Sequence, residues 1–582
     1  MTLQHSFARP LVVKRTWPIL IDLAVILCAL AFFMAMIRLG TYWLAKPMPS
    51  ARISLSARSL PLYAFYSIAR MAVAYLLSLV FAVSYGYIAA YNKRVEAWML
   101  AVLDILQSIP VLSFLPVVML AMIGLIPGRQ FGIELGSIVL LFTSQVWNMA
   151  FSFYSSLKSI PREMIESSRI YRYSAWQRFW QLELPFSAIG LIWNSIVSVA
   201  SGWFVLIPCE MLTFGVRNFR LPGLGSYLYT AASATPVDTH ALIWGMTTLL
   251  LIIVATDQLI WRPLIAWSDK FKFEQVESTS RVTSPILTLL SRPSVLLRLP
   301  SRAWNGVEEG IYRRLAVTRA CRVVQPIDDE SAKSGRLFSI MLGIFAGAAV
   351  LWGAVQAFHL LHGVTWTDIQ LLFLGAAATY LRVSAALLIA ALWTIPVGVA
   401  IGSNPKLAQI LQPITQIAAS IPASAFFPVL MLVLINRGAG LGLGSIALML
   451  MGTQWYVLFN VIAGAMAIPS DLKEAAAVYR FTRWQRWTRL ILPGIFPYLI
   501  TGMVTASGGA WNTSILAEYG TLGDRTLQTV GLGAQISAAT NGGKSSTLLM
   551  ATILMATIVV TMNRLVWRRL YRLAETRYKL EG

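Results

Sequence analysis

Few places in this chain carry residue types at a spacing that could do chemistry. Gly542-Gly543-Lys544-Ser545 nearly matches a phosphate-cradling loop, but that pattern needs a glycine where Ala538 stands and a buried strand ahead of it. His359 and His362 lie three apart, on one face if helical, a spacing a metal can use. Only Asp368 is near enough to add a ligand, so the sequence assigns no metal. Cys28, Cys209 and Cys321 are scattered, with neither a disulfide framework nor metal spacing. No nucleophile–base constellation appears. Arg70 and Arg382 stand out because they lie inside apolar runs, where a guanidinium costs at least about 2.5–3.5 kcal/mol. Near a common axis the two would offer positive potential to an anion. Otherwise they snorkel to an interface or pair with a neighbouring carboxylate. Glu210 and Glu518 end nearby apolar runs and are candidate partners. Trp203 and Trp511, as packing or path-lining residues, and Asn512 and Ser514, as hydrogen-bonders, complete the candidates for a solute path.

The elements that would position these residues are apolar helices. Hydrophobic side chains make up 57% of the 582 residues and charged ones 12%. Mean hydropathy is +0.66. Such a chain has too little polar surface to cover a water-facing globule, which excludes disorder and a soluble multidomain protein. Runs of about 20 apolar residues, enough to cross a bilayer, occur near 18–37, 61–90, 98–126, 133–157, 186–208 and 241–261. After a polar stretch they recur near 337–360, 371–401, 408–435, 443–467, 494–516 and 547–566. A cleavable signal peptide is the rival reading of the first run, because of Ala29-Leu30-Ala31, but the run continues to Ile37.

The two sets are copies. Ser108-Ile109-Pro110 with Phe114 and Pro116 matches Ser420-Ile421-Pro422 with Phe426 and Pro428. Ile160-Pro161, Glu166, Tyr171-Arg172, Trp176-Gln177-Arg178 and Leu184-Pro185 match Ile468-Pro469, Glu474, Tyr479-Arg480, Trp484-Gln485-Arg486 and Leu492-Pro493. Gly223-Leu224-Gly225 matches Gly531-Leu532-Gly533. An even number of spans per copy places both the same way up, as a parallel repeat. The expected fold is an all-α membrane protein of about twelve transmembrane helices in two parallel six-helix repeats. The expected divisions are a first repeat over 1–267, a linker over 268–335 and a second repeat over 336–582. Within the linker, 286–299 reads as a tether or an amphipathic surface helix interrupted by Pro293.

Net charge is +22, from 47 Lys and Arg against 25 Asp and Glu. In an apolar chain this excess reads as the positive-inside bias rather than nucleic-acid binding. The bias puts both termini, the linker, Lys93-Arg94 and the segments around 158–178 and 468–487 on the cytoplasmic side. Arg217 and Arg220 fall outside.

The cytoplasmic segment after the fourth span of each copy is the most informative. Pro469 suits the first position of a short helix to about Tyr479, with Asp471 complementing its dipole. Thr482, and Ser174 in the first copy, suits the N-cap of a second short helix. Two short helices across the cytoplasmic face make a docking surface. Ala475 and Ala476 (Ser167 and Ser168) permit close approach of a partner, and Tyr479, Trp484 and Trp487 offer apolar anchors.

At these residues the chain resembles the membrane subunits of binding-protein-dependent ABC importers, whose signature is Glu-Ala-Ala, three residues, Gly, nine residues, then Ile-x-Leu-Pro. Glu474-Ala475-Ala476 with Leu490-Ile491-Leu492-Pro493 matches well. Glu166-Ser167-Ser168 with Leu182-Glu183-Leu184-Pro185 matches more loosely. The Ser-Ile-Pro spans are similar to those of nitrate/sulfonate/taurine-type permeases. The family's glycine is replaced by Arg172 and by Arg480. Glycine there would let the chain turn with φ > 0, a conformation that costs another residue on the order of 1 kcal/mol. Either the turn is built differently or arginine gains a compensating contact.

The resemblance implies a type I importer permease for a small anion, in the bacterial inner membrane. It implies two copies of a cytoplasmic ATPase seated on the two loops, and an extracytoplasmic solute-binding protein. ATP and Mg would lie on the ATPase, leaving this chain no cofactor and no catalysis of its own. The alternative is an ion-gradient-driven secondary transporter with twelve spans, which would be expected to carry intramembrane carboxylates; few are evident, such as Asp22 and Asp104.

Overall fold

The computed structural model describes residues 53–126, 130–214, 217–268, 348, 351–352, 355–438, 440–522 and 525–577. The expected first span, Cys28, Cys321, the 286–299 segment and most of the 337–360 run lie outside the described residues.

In the first half, α1 (Leu60–Tyr91) is followed by α2 (Glu96–Ser108), α3 (Val111–Leu125) and α4 (Gln130–Lys158). Two short helices come next, α5 (Arg162–Ile170) and α6 (Ala175–Arg178). A π-helical turn then leads into α7 (Leu184–Glu210). A hairpin of β1 (Met211–Phe214) and β2 (Arg217–Arg220) precedes α8 (Leu224–Ala232), α9 (Thr239–Thr256) and α10 (Arg262–Ser268). The second half repeats this order with α11 (Trp366–Ser403), α12 (Pro405–Ser420), α13 (Ala423–Asn436), α14 (Leu441–Ala467), α15 (Ser470–Val478), α16 (Arg483–Arg486) and α17 (Leu492–Ala517). It closes with β3 (Tyr519–Leu522), β4 (Arg525–Gln528), α18 (Leu532–Asn541), α19 (Ser545–Met562) and α20 (Arg568–Arg577).

Eight helices among the described residues are long and apolar enough to cross a membrane, or nine if one bent pair is a single span. The architecture is thus the expected all-α membrane bundle. A count of twelve is not reached among the described residues.

Two expectations are corrected. The run 98–126 is not one straight helix: α2 and α3 meet at 96°. The run 408–435 is likewise divided, into α12 and α13. Each break falls at Ile-Pro, where Ile109 (ψ 123°) and Ile421 (ψ 118°) are extended. A proline pushes the residue before it out of the α region, so the helix ends there. The second correction is the pair of small antiparallel hairpins. They pair Met211 with Arg220 and Tyr519 with Gln528, where only loops were expected.

In each half the first long helix packs on the helix before the loop, and that helix packs on the one after it: α1, α4, α7 and α11, α14, α17. Close approach uses glycine. A Cβ on Gly86 would come within 3.2 Å of the Ala150 carbonyl oxygen, and one on Gly398 within 3.3 Å of the Leu458 carbonyl oxygen. Without water to drive them together, apolar helices gain most from such small-residue contacts. Tyr154 donates to Glu96 (2.7 Å) and Tyr91 to Glu183 (2.6 Å), so the short helices, the end of α1 and the start of α2 share one end of the bundle. The hairpins lie at the other.

Candidate functional site

Local sequence builds the two loops alike. Pro161 and Pro469 sit at the N-caps of α5 and α15. Ser174 and Thr482 form capping boxes with Gln177 and Gln485, each satisfying two orphan donors at the start of α6 and α16. Five-residue π turns, Phe179–Glu183 and Trp487–Ile491, then join the loop to a long helix that begins with Pro185 or Pro493 near its first turn.

At the glycine position of the signature the chain makes a left-handed turn, and arginine occupies it. Arg172 has φ 52° and Arg480 φ 49°. The Arg172 N–H donates to the Arg169 carbonyl (2.9 Å) and the Tyr173 N–H to the Ser168 carbonyl (2.9 Å). Arg480 and Phe481 repeat this with Ala477 (3.0 Å) and Ala476 (2.9 Å). These paired bonds close a helix end through one left-handed residue, which costs a non-glycine on the order of 1 kcal/mol. Glu166, Ser167 and Glu474 are exposed and Ala475 half-buried. Ser168 and Ala476 are buried within the chain, contrary to the expectation that they face a partner. Their small size instead lets each short helix lie on its own bundle.

At the hairpin end each copy builds a clamp. Glu210, wholly buried at the end of α7, accepts from the Arg70 Nη1 (2.7 Å), the Ser67 hydroxyl (2.6 Å) and the Gly225 N–H (2.7 Å). Glu518 accepts likewise from Arg382 (2.9 Å), Thr379 (2.8 Å) and the Gly533 N–H (2.9 Å). A Cβ on Gly223 or Gly531 would collide with the carboxylate, which is why the Gly-Leu-Gly repeat begins α8 and α18. Arg70 also holds Glu134 through Nη2 (2.7 Å) and donates to the Pro222 carbonyl (2.8 Å). Glu134 was missed in the sequence. Its signal was a carboxylate early in an apolar run, opposite an equally improbable arginine. Of the two sequence readings of Arg70 and Arg382, the geometry matches pairing with a neighbouring carboxylate.

The halves meet through reciprocal contacts. Asn512 Oδ1 accepts from the Leu112 N–H (3.2 Å), and the Ser424 hydroxyl donates to the Phe204 carbonyl (3.0 Å). Leu112 and Ser424 occupy one repeat position, and Phe204 and Asn512 another. Beside these contacts lies a cavity of about 180 Å³. The first half lines it chiefly with apolar groups such as Leu115, Ile207 and Pro208. The second adds Tyr519, Thr521, Thr540 and Asn541, and among the described residues no charged side chain lines it. Tyr229 and Thr521 share a hydrogen bond across it (3.0 Å). Arg70, Arg382, Glu210, Glu518, Trp203 and Trp511 do not line this cavity, and both tryptophans are packed in the core.

Other sequence candidates fall away from it. Gly542-Gly543-Lys544-Ser545 forms a turn after helix α18 rather than after a strand. His362 packs edge-on against Phe358 (4.6 Å between centroids). Asp104 accepts from Asn563 of the other half (3.2 Å).

Duplicated apolar bundles that share one cavity and bear matched loops at one end define a multi-pass membrane permease. Residues 82–259 and 394–574 each match the family described as binding-protein-dependent transport system inner membrane component, and the chain belongs to that family. Among its relatives, a nitrate import permease protein of Leptolyngbya laminosa is 29% identical over 197 residues, 34% of this chain and 67% of that protein. A bicarbonate transport system permease protein of Synechococcus elongatus is 28% identical over 195 residues, 34% and 67% of the two. The taurine transport system permease protein of Escherichia coli is 31% identical over 163 residues, 28% of this chain and 56% of that protein. The chain is a multi-pass inner-membrane protein.

Proposed function

We propose that this chain is the whole transmembrane pathway of an ATP-driven importer for a small anion. Residues 1–267 and 336–582 would be the two permease repeats, tethered by 268–335. The end carrying α5, α6, α15 and α16 would face the cytoplasm, with both termini. Two copies of an ATPase would seat there, one on each loop, supplying ATP and Mg, while a solute-binding protein docks at the hairpin end. Closure of the ATPases draws the loops together, and the π turns and long helices α7 and α17 carry that movement to the hairpin end, giving alternating access. Glu166, Ser167, Arg172, Pro185, Glu474, Ala475, Arg480 and Pro493 form the coupling surface; Ser168 and Ala476 hold it to the bundle.

The observation that carries this reading is the double occurrence of one loop: buried small residue, left-handed arginine, capping box, π turn and proline, each in register. The anion is supported by the relatives named for nitrate, bicarbonate and taurine. It is also supported by a shared cavity with hydroxyl and amide donors and, among the described residues, no carboxylate in its lining. The clamps of Arg70 with Glu210 and of Arg382 with Glu518 shape that end of the path without touching solute, and Asn512 joins the halves beside it.

Glu166→Lys combined with Glu474→Lys tests the coupling surface. Loss of ATPase co-purification from a folded permease is expected. Retained assembly and solute transport would overturn the reading.

A further inference from the structure

We propose that Arg172 and Arg480 are cationic prongs, each pairing with a carboxylate at the rim of the partner surface that receives its loop. This rests on the coupling role proposed above. Both arginines occupy the left-handed backbone position that glycine fills without strain, in two copies that have diverged elsewhere. The turn itself gives no reason for arginine. Its hydrogen bonds are made by backbone groups, and the same bonds would close around glycine. Nor does the chain supply a partner: both side chains are exposed, and among the described residues neither forms an ion pair with a carboxylate. A strained residue kept where a simpler one suffices is explained by what its side chain meets in the assembled state.

The surroundings state the chemistry of the partner. Ile170 and Tyr171 are 79% and 74% exposed, and Val478 and Tyr479 are 78% and 76% exposed. Each arginine therefore rises beside an uncovered apolar step. The second loop adds Lys473, Arg483, Arg486 and Arg489 against Asp471 and Glu474; in the first, Arg178 is already held by Glu183 (2.6 Å). A receiving groove with an apolar floor and an acidic rim complements this pattern. A bilayer surface fits it less well. Headgroups would respond to net charge at any position in the loop, whereas here the charge is fixed to one turn of the backbone, on helices that also expose Glu166 and Glu474. Arginine suits a carboxylate because its planar fork can donate two parallel bonds.

The test uses the full chain in nanodiscs and the ATPase subunit that co-purifies with it. Arg172→Gly with Arg480→Gly removes the prongs while giving the turn its preferred residue. The permease alone should melt at the same temperature or higher. ATPase affinity should fall about tenfold or more, with a shallower dependence on salt, as expected for a lost charge-assisted pair. Arg172→Lys with Arg480→Lys, which keeps charge at the same backbone position but loses the fork, should bind between the parent and the glycine variant and keep the parent's salt slope. Unchanged affinity and salt slope in the glycine variant would overturn the proposal, as would a lowered melting temperature. So would an affinity loss seen only in nanodiscs containing anionic lipid, which would assign the arginines to headgroups. If the Glu166→Lys, Glu474→Lys protein also keeps its ATPase, the coupling reading itself fails. If only the glycine variant does, the prongs alone fail.

Discussion

The two clamps occupy one repeat position and are not equal. Arg70 is 4% exposed and holds two carboxylates, Glu210 and Glu134. Arg382 is 15% exposed and among the described residues holds one carboxylate, Glu518, giving its remaining bonds to the Val530 carbonyl (2.6 Å) and the Thr529 hydroxyl (2.8 Å). The same division appears at the opposite end. Glu183 ties the first loop to α1 by accepting from Tyr91 and Arg178, whereas the second copy has Ile491 there. In the shared cavity the polarity reverses, with most hydroxyl and amide groups coming from the second copy. Once duplicated, the first copy has concentrated buried ionic contacts and the second has concentrated polar groups toward the cavity.

The sharpest break of this comparison is Arg70→Ala against Arg382→Ala. Removing one partner of a buried pair strands the other charge, at about 3–5 kcal/mol. Arg70→Ala strands two carboxylates and is expected to lower the melting temperature of the purified protein more than Arg382→Ala does. Equal losses would erase the distinction. Next, Asn512→Ala leaves the part-buried Leu112 N–H without its acceptor, at about 1–3 kcal/mol. Ser424→Ala takes from the Phe204 carbonyl the hydroxyl that stands in for the N–H absent at Pro208, so a shift of similar size is expected in the same melting assay. Tyr519→Phe deletes a cavity hydroxyl with little change of shape. In proteoliposomes it should raise the solute KM a few-fold, in keeping with one hydrogen bond of about 0.5–1.5 kcal/mol, with the melting temperature unmoved. The smallest effect belongs to Glu183→Ile, which copies the second loop into the first. It should leave folding and ATPase binding nearly intact while speeding hydrogen exchange in α5 and α6, and protection equal to the parent's would show that the tether is idle.

What the sequence revealed was local. The repeat, the capping residues Ser174 and Thr482, and the anomalous glycine position all act within a few residues of themselves, so their types and spacing suffice. The Ile109-Pro110 and Ile421-Pro422 breaks were also written locally, but uninterrupted hydropathy masked them: lipid tolerates a bend that composition does not register. The clamps were half legible. An arginine in an apolar run announces a partner, yet choosing Glu210 and adding Glu134 requires knowing that α1, α4 and α7 adjoin. The hairpins and the cavity were illegible for the same reason. Thr521 and Tyr229 lie 292 residues apart, and only the packing of the two halves brings them together.

The reciprocal seam has a consequence for how such a molecule can be put together. In both bonds the second copy contributes the side chain, Asn512 or Ser424, and the first copy contributes only main-chain atoms at Leu112 and Phe204. A pair of first copies would face Leu against Phe, and neither of these two bonds would form. Joining the copies in one polypeptide fixes a one-to-one stoichiometry and guarantees every first copy the complement it lacks.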